Sequence, residues 1–173
     1  MKIAITGTHG TGKTTLSYAL AAHYKQQGHN VKVIQEVART CPFPINEGMT
    51  IDAAKWIYLE HSRKELEAGA KHDFVIGDRS VYDSFAYARY FKLSTISLYG
   101  MEYSAFSQMR NYDQIIFVRP DLPLQTDGTR SANQEFQKGI DEILFEMIQY
   151  FNIIEITSSQ IFDTEQSWKQ FCL

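Results

Sequence analysis

Residues 7 to 14 read Gly7-Thr8-His9-Gly10-Thr11-Gly12-Lys13-Thr14, a complete GxxxxGK[ST] spacing with a further hydroxyl at Thr15. The glycines let the backbone curl until successive N–H groups face inward, and such a ring of donors at the head of a helix cradles phosphate oxygens. Lys13 is then placed to reach the β- and γ-phosphates and Thr14 to ligate Mg²⁺. The chain is therefore expected to bind a nucleoside triphosphate through Gly7, His9, Gly10, Thr11, Gly12, Lys13, Thr14 and Thr15. Within that set His9 reads as a permissive exposed position rather than a catalyst. A Gly/Thr-rich turn before an ordinary helix would explain the glycines, but not Gly-Lys-Thr-Thr at this offset.

Further acids and arginines follow apolar runs. Asp78 closes Phe74-Val75-Ile76-Gly77 in the manner of a Walker B carboxylate, a second contact for Mg²⁺, and Arg79 beside it can neutralise charge on a transferring phosphoryl group or grip an acceptor. Glu36 closes another apolar run, where a carboxylate can orient an acceptor hydroxyl and take its proton; Arg39, three residues on, can pair with it across a helical turn. Arg130 sits in a polar segment with two prolines and a glycine, expected to form a mobile lid around residues 120–132 that excludes water as it closes; Arg119 competes for that arginine's role. Trp56, Tyr58, His61, Tyr82 and Tyr87 are aromatic candidates for contact with a base or sugar, Tyr82 foremost, though rings at helical spacing are more often core.

The elements that must position these groups alternate regularly. Lys2-Ile3-Ala4-Ile5-Thr6 reads as a strand, and Leu16, Ala19, Leu20 and Tyr24 recur at helical spacing up to a stop at Gly28. Val31 to Gln35 reads as a second strand, giving a β-α-β unit. Thr50 caps a helix from Ile51 to about Gly69. Asp73 to Gly77 is a third strand, with Ser80 capping a helix from Val81 to Phe91 and a further helix over roughly Ser97 to Asn111. A fourth strand spans Gln114 to Val118. A helix starting at Ser131 or Asn133, a fifth strand from Asn152 to Ile156 and a short helix from Thr164 to Phe171 complete the chain. Five apolar strands alternating with helices imply a doubly wound α/β fold, a parallel sheet covered on both faces, with ligands at the carboxyl ends of its strands. Thr6-Gly7, Glu36, Asp78-Arg79 and Arg119 all lie just past strand ends and are expected to share one cleft.

The 173 residues fit one catalytic domain. A formal charge of −3 gives no broad basic field, so long nucleic acid is not expected as a partner. Cys41 and Cys172, without metal-ligand spacing around them, fit a reducing compartment. No run approaches the ~18 apolar residues of a membrane span, and the first apolar run is too short for a signal peptide; a cytoplasmic location without membrane association is the expectation.

With the phosphate loop, Glu36, Asp78-Arg79-Ser80 and an arginine-bearing segment after the fourth strand, the chain resembles P-loop nucleoside and nucleotide kinases. Nearest are the deoxynucleoside and thymidylate kinase group and the AAA ATPase-like family related to ribosylnicotinamide kinase domains. Asp78-Arg79-Ser80-Val81-Tyr82 resembles the Glu/Asp-Arg-Ser-x-Tyr element of deoxynucleoside kinases, and Glu36 is similar in position to their catalytic base. Asp127-Gly128-x-Arg130, then Phe136-Gln137 and Ile140-Asp141, resembles the lid and following helix of the ATPase-like family. The resemblance implies a P-loop NTPase fold with strand order 2-3-1-4-5 and Mg²⁺-ATP-dependent phosphoryl transfer to a small-molecule acceptor, a nucleoside or nucleotide. It further implies approach of Thr157 to Gln160 to the adenine, and a homodimer. Two departures accompany it: one central lid arginine instead of a cluster, and no Pro-Gly-Gly after Glu36. A GTPase is disfavoured because Val118-Arg119-Pro120-Asp121 does not supply a base-reading Asn/Thr-Lys-x-Asp. NTP hydrolysis without an acceptor and a nucleotide-binding regulatory protein are the alternatives.

Overall fold

The computed structural model describes residues 1–124, 133–163 and 169. Five strands, β1 (Lys2–Thr6), β2 (Val31–Ile34), β3 (Phe74–Asp78), β4 (Gln114–Arg119) and β5 (Ile153–Thr157), form one parallel sheet in the order β2-β3-β1-β4-β5. The expected fold class and strand order are both present. β1 and β2, read from sequence as a consecutive β-α-β unit, are not neighbours, because β3 lies between them. Alternate residues of each strand feed opposite faces of the sheet. On one face Ala4, Ile115 and Phe117 pack under α2 (Ile51–Gly69), α3 (Asp83–Tyr90), α4 (Ile96–Gln108) and α5 (Gln134–Ile148). On the other, Ile3, Ile5, Ile76, Ile116, Val118 and Ile156 pack against Leu16, Leu20 and Tyr24 of α1 (Lys13–Gln26) and Ile161 of α6 (Ser158–Phe162).

Helix starts follow their caps. Thr50, Thr95 and Asn133 each accept a hydrogen bond from the backbone N–H three residues on, at 3.1 Å, satisfying donors that the first turn leaves open. α1 starts differently, from Gly12 in the left-handed region (φ 84°) with no side-chain cap.

Boundaries shift in three places. The helix expected from Val81 begins at Asp83, because Ser80 to Tyr82 are held in a turn by hydrogen bonds to Asp83 and Ser80. The helix expected to reach Asn111 ends at Gln108 and tightens into a 3-10 turn over Met109–Asn111. α6 begins directly after β5, where a loop was expected, with Thr157 and Gln160 forming a capping box. The helix expected from Thr164 to Phe171 and the lid segment 125–132, with Arg130, lie outside the described residues. No helix among the described residues is long and apolar enough to cross a membrane.

Candidate active site

The parallel register aligns the carboxyl ends of the central strands: Ile5 lies beside Asp78, and Thr6 beside Phe117. Everything that follows β1 and β3 therefore emerges at one edge. The phosphate loop leaves β1 through Gly7, whose φ of 139° is open to glycine and whose place has no room for a side chain: a Cβ there would sit 2.5 Å from the Val118 carbonyl oxygen.

The loop is braced from behind by α5. Thr8 donates its hydroxyl to the Gln137 carbonyl at 2.9 Å, and the Gln137 side-chain amide donates to the His9 carbonyl at 2.8 Å. Inside the loop, Thr11 donates to the Thr8 carbonyl at 3.2 Å. The Lys13 ammonium folds back to donate to the same carbonyl and to the Thr11 hydroxyl. Lys13 is buried, and burial followed by the nearby Arg79 cation lowers its pKa to about 7, against the pull of Glu36, Asp78 and Asp83. Among the described residues its hydrogen-bond partners are neutral oxygens, the Thr8 carbonyl and the Thr11 hydroxyl.

Thr14, in the first turn of α1, donates its hydroxyl to Asp78 Oδ2 at 2.6 Å. The two oxygen groups expected to share a cation are thus adjacent. Mg²⁺ ordinarily takes only one or two protein oxygens and fills its shell with water and substrate phosphates, so the hydroxyl and carboxylate fit it. Thr15 is exposed and, with Gly10, Gly12, Leu122, Pro123 and Phe162, lines an open cleft along the outer side of the loop.

Arg79 is the hub of a buried network. Its φ of 116° is unusual for a side-chain-bearing residue. The guanidinium donates to Glu36 Oε1 at 2.8 Å, the Gly7 carbonyl at 3.2 Å, Asp83 Oδ2 at 3.3 Å and the Tyr87 hydroxyl at 3.3 Å. Burial penalises this cation, yet Tyr87, Glu36 and Asp83 around it hold its pKa well above the ordinary arginine value. Arg39 donates to Glu36 Oε2 at 3.0 Å, as their spacing suggested. Asp83 Oδ1 accepts from Thr6 Oγ1 at 2.7 Å and from Ser80 Oγ at 2.5 Å, joining the ends of β1 and β3. Glu36, Arg39, Arg79, Asp83, Tyr87 and His9 line a single cleft, with Ile45, Met49 and Ile57 as its apolar wall.

The structure thus brings Lys13, Thr14, Asp78, Arg79, Glu36 and Arg39 together at one strand edge. It corrects three expectations. His9 is 2% exposed, not an open position, and its ring packs 5.3 Å from that of Phe136 on the cleft side of the loop. Tyr82 faces away from the cleft, against Phe85 and Phe106; Tyr87, one turn further on, takes the place expected of it. Arg119 is engaged elsewhere: it donates to Asp141 at 2.6 Å and Glu155 at 3.3 Å and lies over the Phe145 ring at 4.2 Å. Trp56, half-buried, packs against the cluster of Ile34, Val37, Ala68 and Val75, and Tyr58, buried in the core, bonds to Ser104. Asp83 had no signal in the sequence beyond an acid after Arg79, and Gln137 only its place in the Phe136-Gln137 and Ile140-Asp141 pattern, which gave it no role at the loop.

A five-stranded 2-3-1-4-5 sheet with a phosphate loop after its central strand and a carboxylate after its neighbour defines a P-loop protein with the nucleoside and nucleotide kinase-like fold. The chain belongs to the AAA domain family, whose profile matches residues 2–160. It is 27% identical over 136 residues to a probable thymidylate kinase of Thermoplasma acidophilum, covering 78% of this chain and 69% of that protein. Among solved structures, deoxyadenosine kinase from M. mycoides with bound dCTP is similar over 99% of this chain and 96% of its own, with a TM-score of 0.68 at 16% identity. The same enzyme with bound dATP gives a TM-score of 0.65 at 16% identity and the same coverage.

Proposed function

We propose that the chain is a phosphotransferase that moves the γ-phosphoryl group of ATP to a hydroxyl or phosphate of a small nucleoside or nucleotide. The observation that carries this reading is the cleft walled by Glu36, Arg39 and Arg79, with His9 of the phosphate loop in its lining and Arg79 bonded to the Gly7 carbonyl of the same loop. A protein that only binds or hydrolyses a nucleotide has no need of this second, acid- and arginine-lined chamber. The thymidylate and deoxyadenosine kinases to which the chain is similar support the same reading.

In this reading the loop N–H groups and Lys13 hold the β- and γ-phosphates, and Thr14 and Asp78 would hold Mg²⁺. The cation supplies electrostatic neutralisation of the polyphosphate charge. For a hydroxyl acceptor, Glu36 aims the hydroxyl at the γ-phosphorus; as the new P–O bond forms and the bond to the ADP oxygen breaks, the hydroxyl proton passes to the Glu36 carboxylate. Arg79 touches both Glu36 and the Gly7 carbonyl, so it sits where charge builds between acceptor and donor. Arg130 and a closing lid belong to this proposal on sequence grounds alone, as do approach of the segment after β5 to the adenine, a homodimer and a cytoplasmic location.

The deciding experiment is coupled ADP release with Mg²⁺ across nucleosides, deoxynucleosides, monophosphates and nicotinamide riboside. ADP release that depends on one acceptor class is the expected result, and release at one rate whatever is added would replace this reading by plain NTP hydrolysis. With that acceptor, Glu36→Gln is expected to lower kcat by about 10²- to 10⁴-fold while ATP affinity stays within roughly twofold.

A further inference from the structure

The turn that presents Asp78 and Arg79 is tight. Arg79 carries a φ of 116°, and the chain folds back so closely that a Cβ on Gly77 would lie 2.5 Å from the Arg79 carbonyl oxygen. Such a backbone persists only where its surroundings over-determine it. On the cleft side Asp83 and Glu36 hold it. On the far side, away from the cleft, stands a second set of polar groups that the proposed chemistry does not use.

Val81, just past Arg79 and Ser80, donates its N–H to the Tyr112 hydroxyl at 3.0 Å. The Tyr112 hydroxyl donates in turn to Glu65 Oε1 at 2.5 Å. Glu65 Oε1 also meets His61 Nε2 at 3.2 Å, and its other oxygen accepts from the Lys2 ammonium at 3.2 Å. Tyr112, Glu65 and His61 are all buried. A phenol has one proton. With that proton committed to a carboxylate, its oxygen is left to accept, and the acceptor side faces the Val81 N–H. The carboxylate therefore fixes the direction of the phenol, and the phenol fixes the backbone of the turn. The geometry is a strut running from α2 through Tyr112, two residues before β4, to the turn after β3.

We infer that Glu65 and Tyr112 are positioning residues, a buried strut that holds the Asp78–Arg79 turn in register with the phosphate loop without touching either substrate. Its effect on turnover rests on the phosphotransferase reading; its effect on the backbone does not.

Tyr112→Phe removes one oxygen and keeps the ring. Amide exchange at Val81, followed by NMR or mass spectrometry, is expected to speed up by about tenfold or more as the N–H loses its acceptor. Acceptor-dependent kcat is expected to fall by about tenfold or more, with the KM for ATP within roughly twofold, since the loop that holds the polyphosphate is braced separately by Gln137. Glu65→Gln keeps an acceptor oxygen for the phenol and should stay within about threefold of the parent kcat, whereas Glu65→Leu should fall as Tyr112→Phe does. Parental exchange at Val81 or parental kcat in Tyr112→Phe overturns the strut. If Tyr112→Phe does not fold, equal kcat in Glu65→Gln and Glu65→Leu overturns it instead. A parent without acceptor-dependent turnover defeats the phosphotransferase reading, and the exchange rate at Val81 then decides the strut by itself.

Discussion

Lys13 shows how a single residue sets function against stability. Its ammonium is buried among neutral loop oxygens, and the folded chain holds its proton with a pKa of about 7 against an ordinary value of 10.5. Between those values the unfolded chain binds more protons than the folded one, so this group makes the fold more stable as pH rises, and the cost of burying the cation is fully present at pH 7 and below. Lys13→Met is accordingly expected to raise the midpoint of thermal unfolding near pH 7, with the gain shrinking toward pH 10.5, while phosphoryl transfer is lost. Calorimetry across that range checks it, and a variant less stable than the parent at pH 7 would show that the lysine is a structural anchor. Lys13 and Thr14 were legible from the GxxxxGK[ST] spacing, and Glu36, Asp78 and Arg79 because their spacing from apolar runs places them at strand ends whatever the details of packing. His9 and Tyr82 were not: which way a ring points depends on partners such as Phe136 and Phe106 from distant segments. Asp83 was hidden for the same reason, since its worth lies in bonds to Thr6 and Arg79 that exist only once β1 and β3 are paired.

Among the elements, α5 does more than cover the sheet. Gln137 on its inner face exchanges hydrogen bonds with the loop at Thr8 and His9, so the helix fixes the curvature of the phosphate cradle. Gln137→Leu keeps the size of the side chain and removes the amide that donates to the His9 carbonyl; loss of a buried hydrogen bond of this kind costs about 1–3 kcal/mol. Weaker binding of the non-hydrolysable ATP analogue by about tenfold, read by calorimetry, is the expected result. Unchanged affinity would mean that the loop holds its shape without the helix. The strands were legible from their β-branched and apolar runs, and the start of α2 from Thr50, because both signals are local; for α5 the sequence left Ser131 and Asn133 as alternative caps, and the structure uses Asn133. The end of α4 and the start of α6 were not, since nothing in the neighbouring residues distinguishes an α-helix that tightens into a 3-10 turn after Gln108 from one that keeps its α form to Asn111.

For the whole molecule, the groups that would meet ATP come from α1, β3 and the loop after β1, with the acceptor cleft adding the segment after β2. A ligand gripped by all of them binds the folded chain and not the unfolded one. Mg²⁺-ATP at about 100 times its Kd should therefore add about 2.7 kcal/mol of stability. For a chain of this length that raises the unfolding midpoint by roughly 5–11 °C. A scan in the presence of Mg²⁺-ATP that matches the scan without it would show that the strand ends do not form a common site. The strand order also governs the route by which the molecule is made. Among the described residues β1 pairs with β3 and β4, and β2 with β3, so residues 1–73 hold two strands whose partners lie further along the chain. During synthesis β1 and the glycine loop wait until Phe74–Asp78 emerges, and a fragment of residues 1–73 lacks the strand that joins β1 to β2.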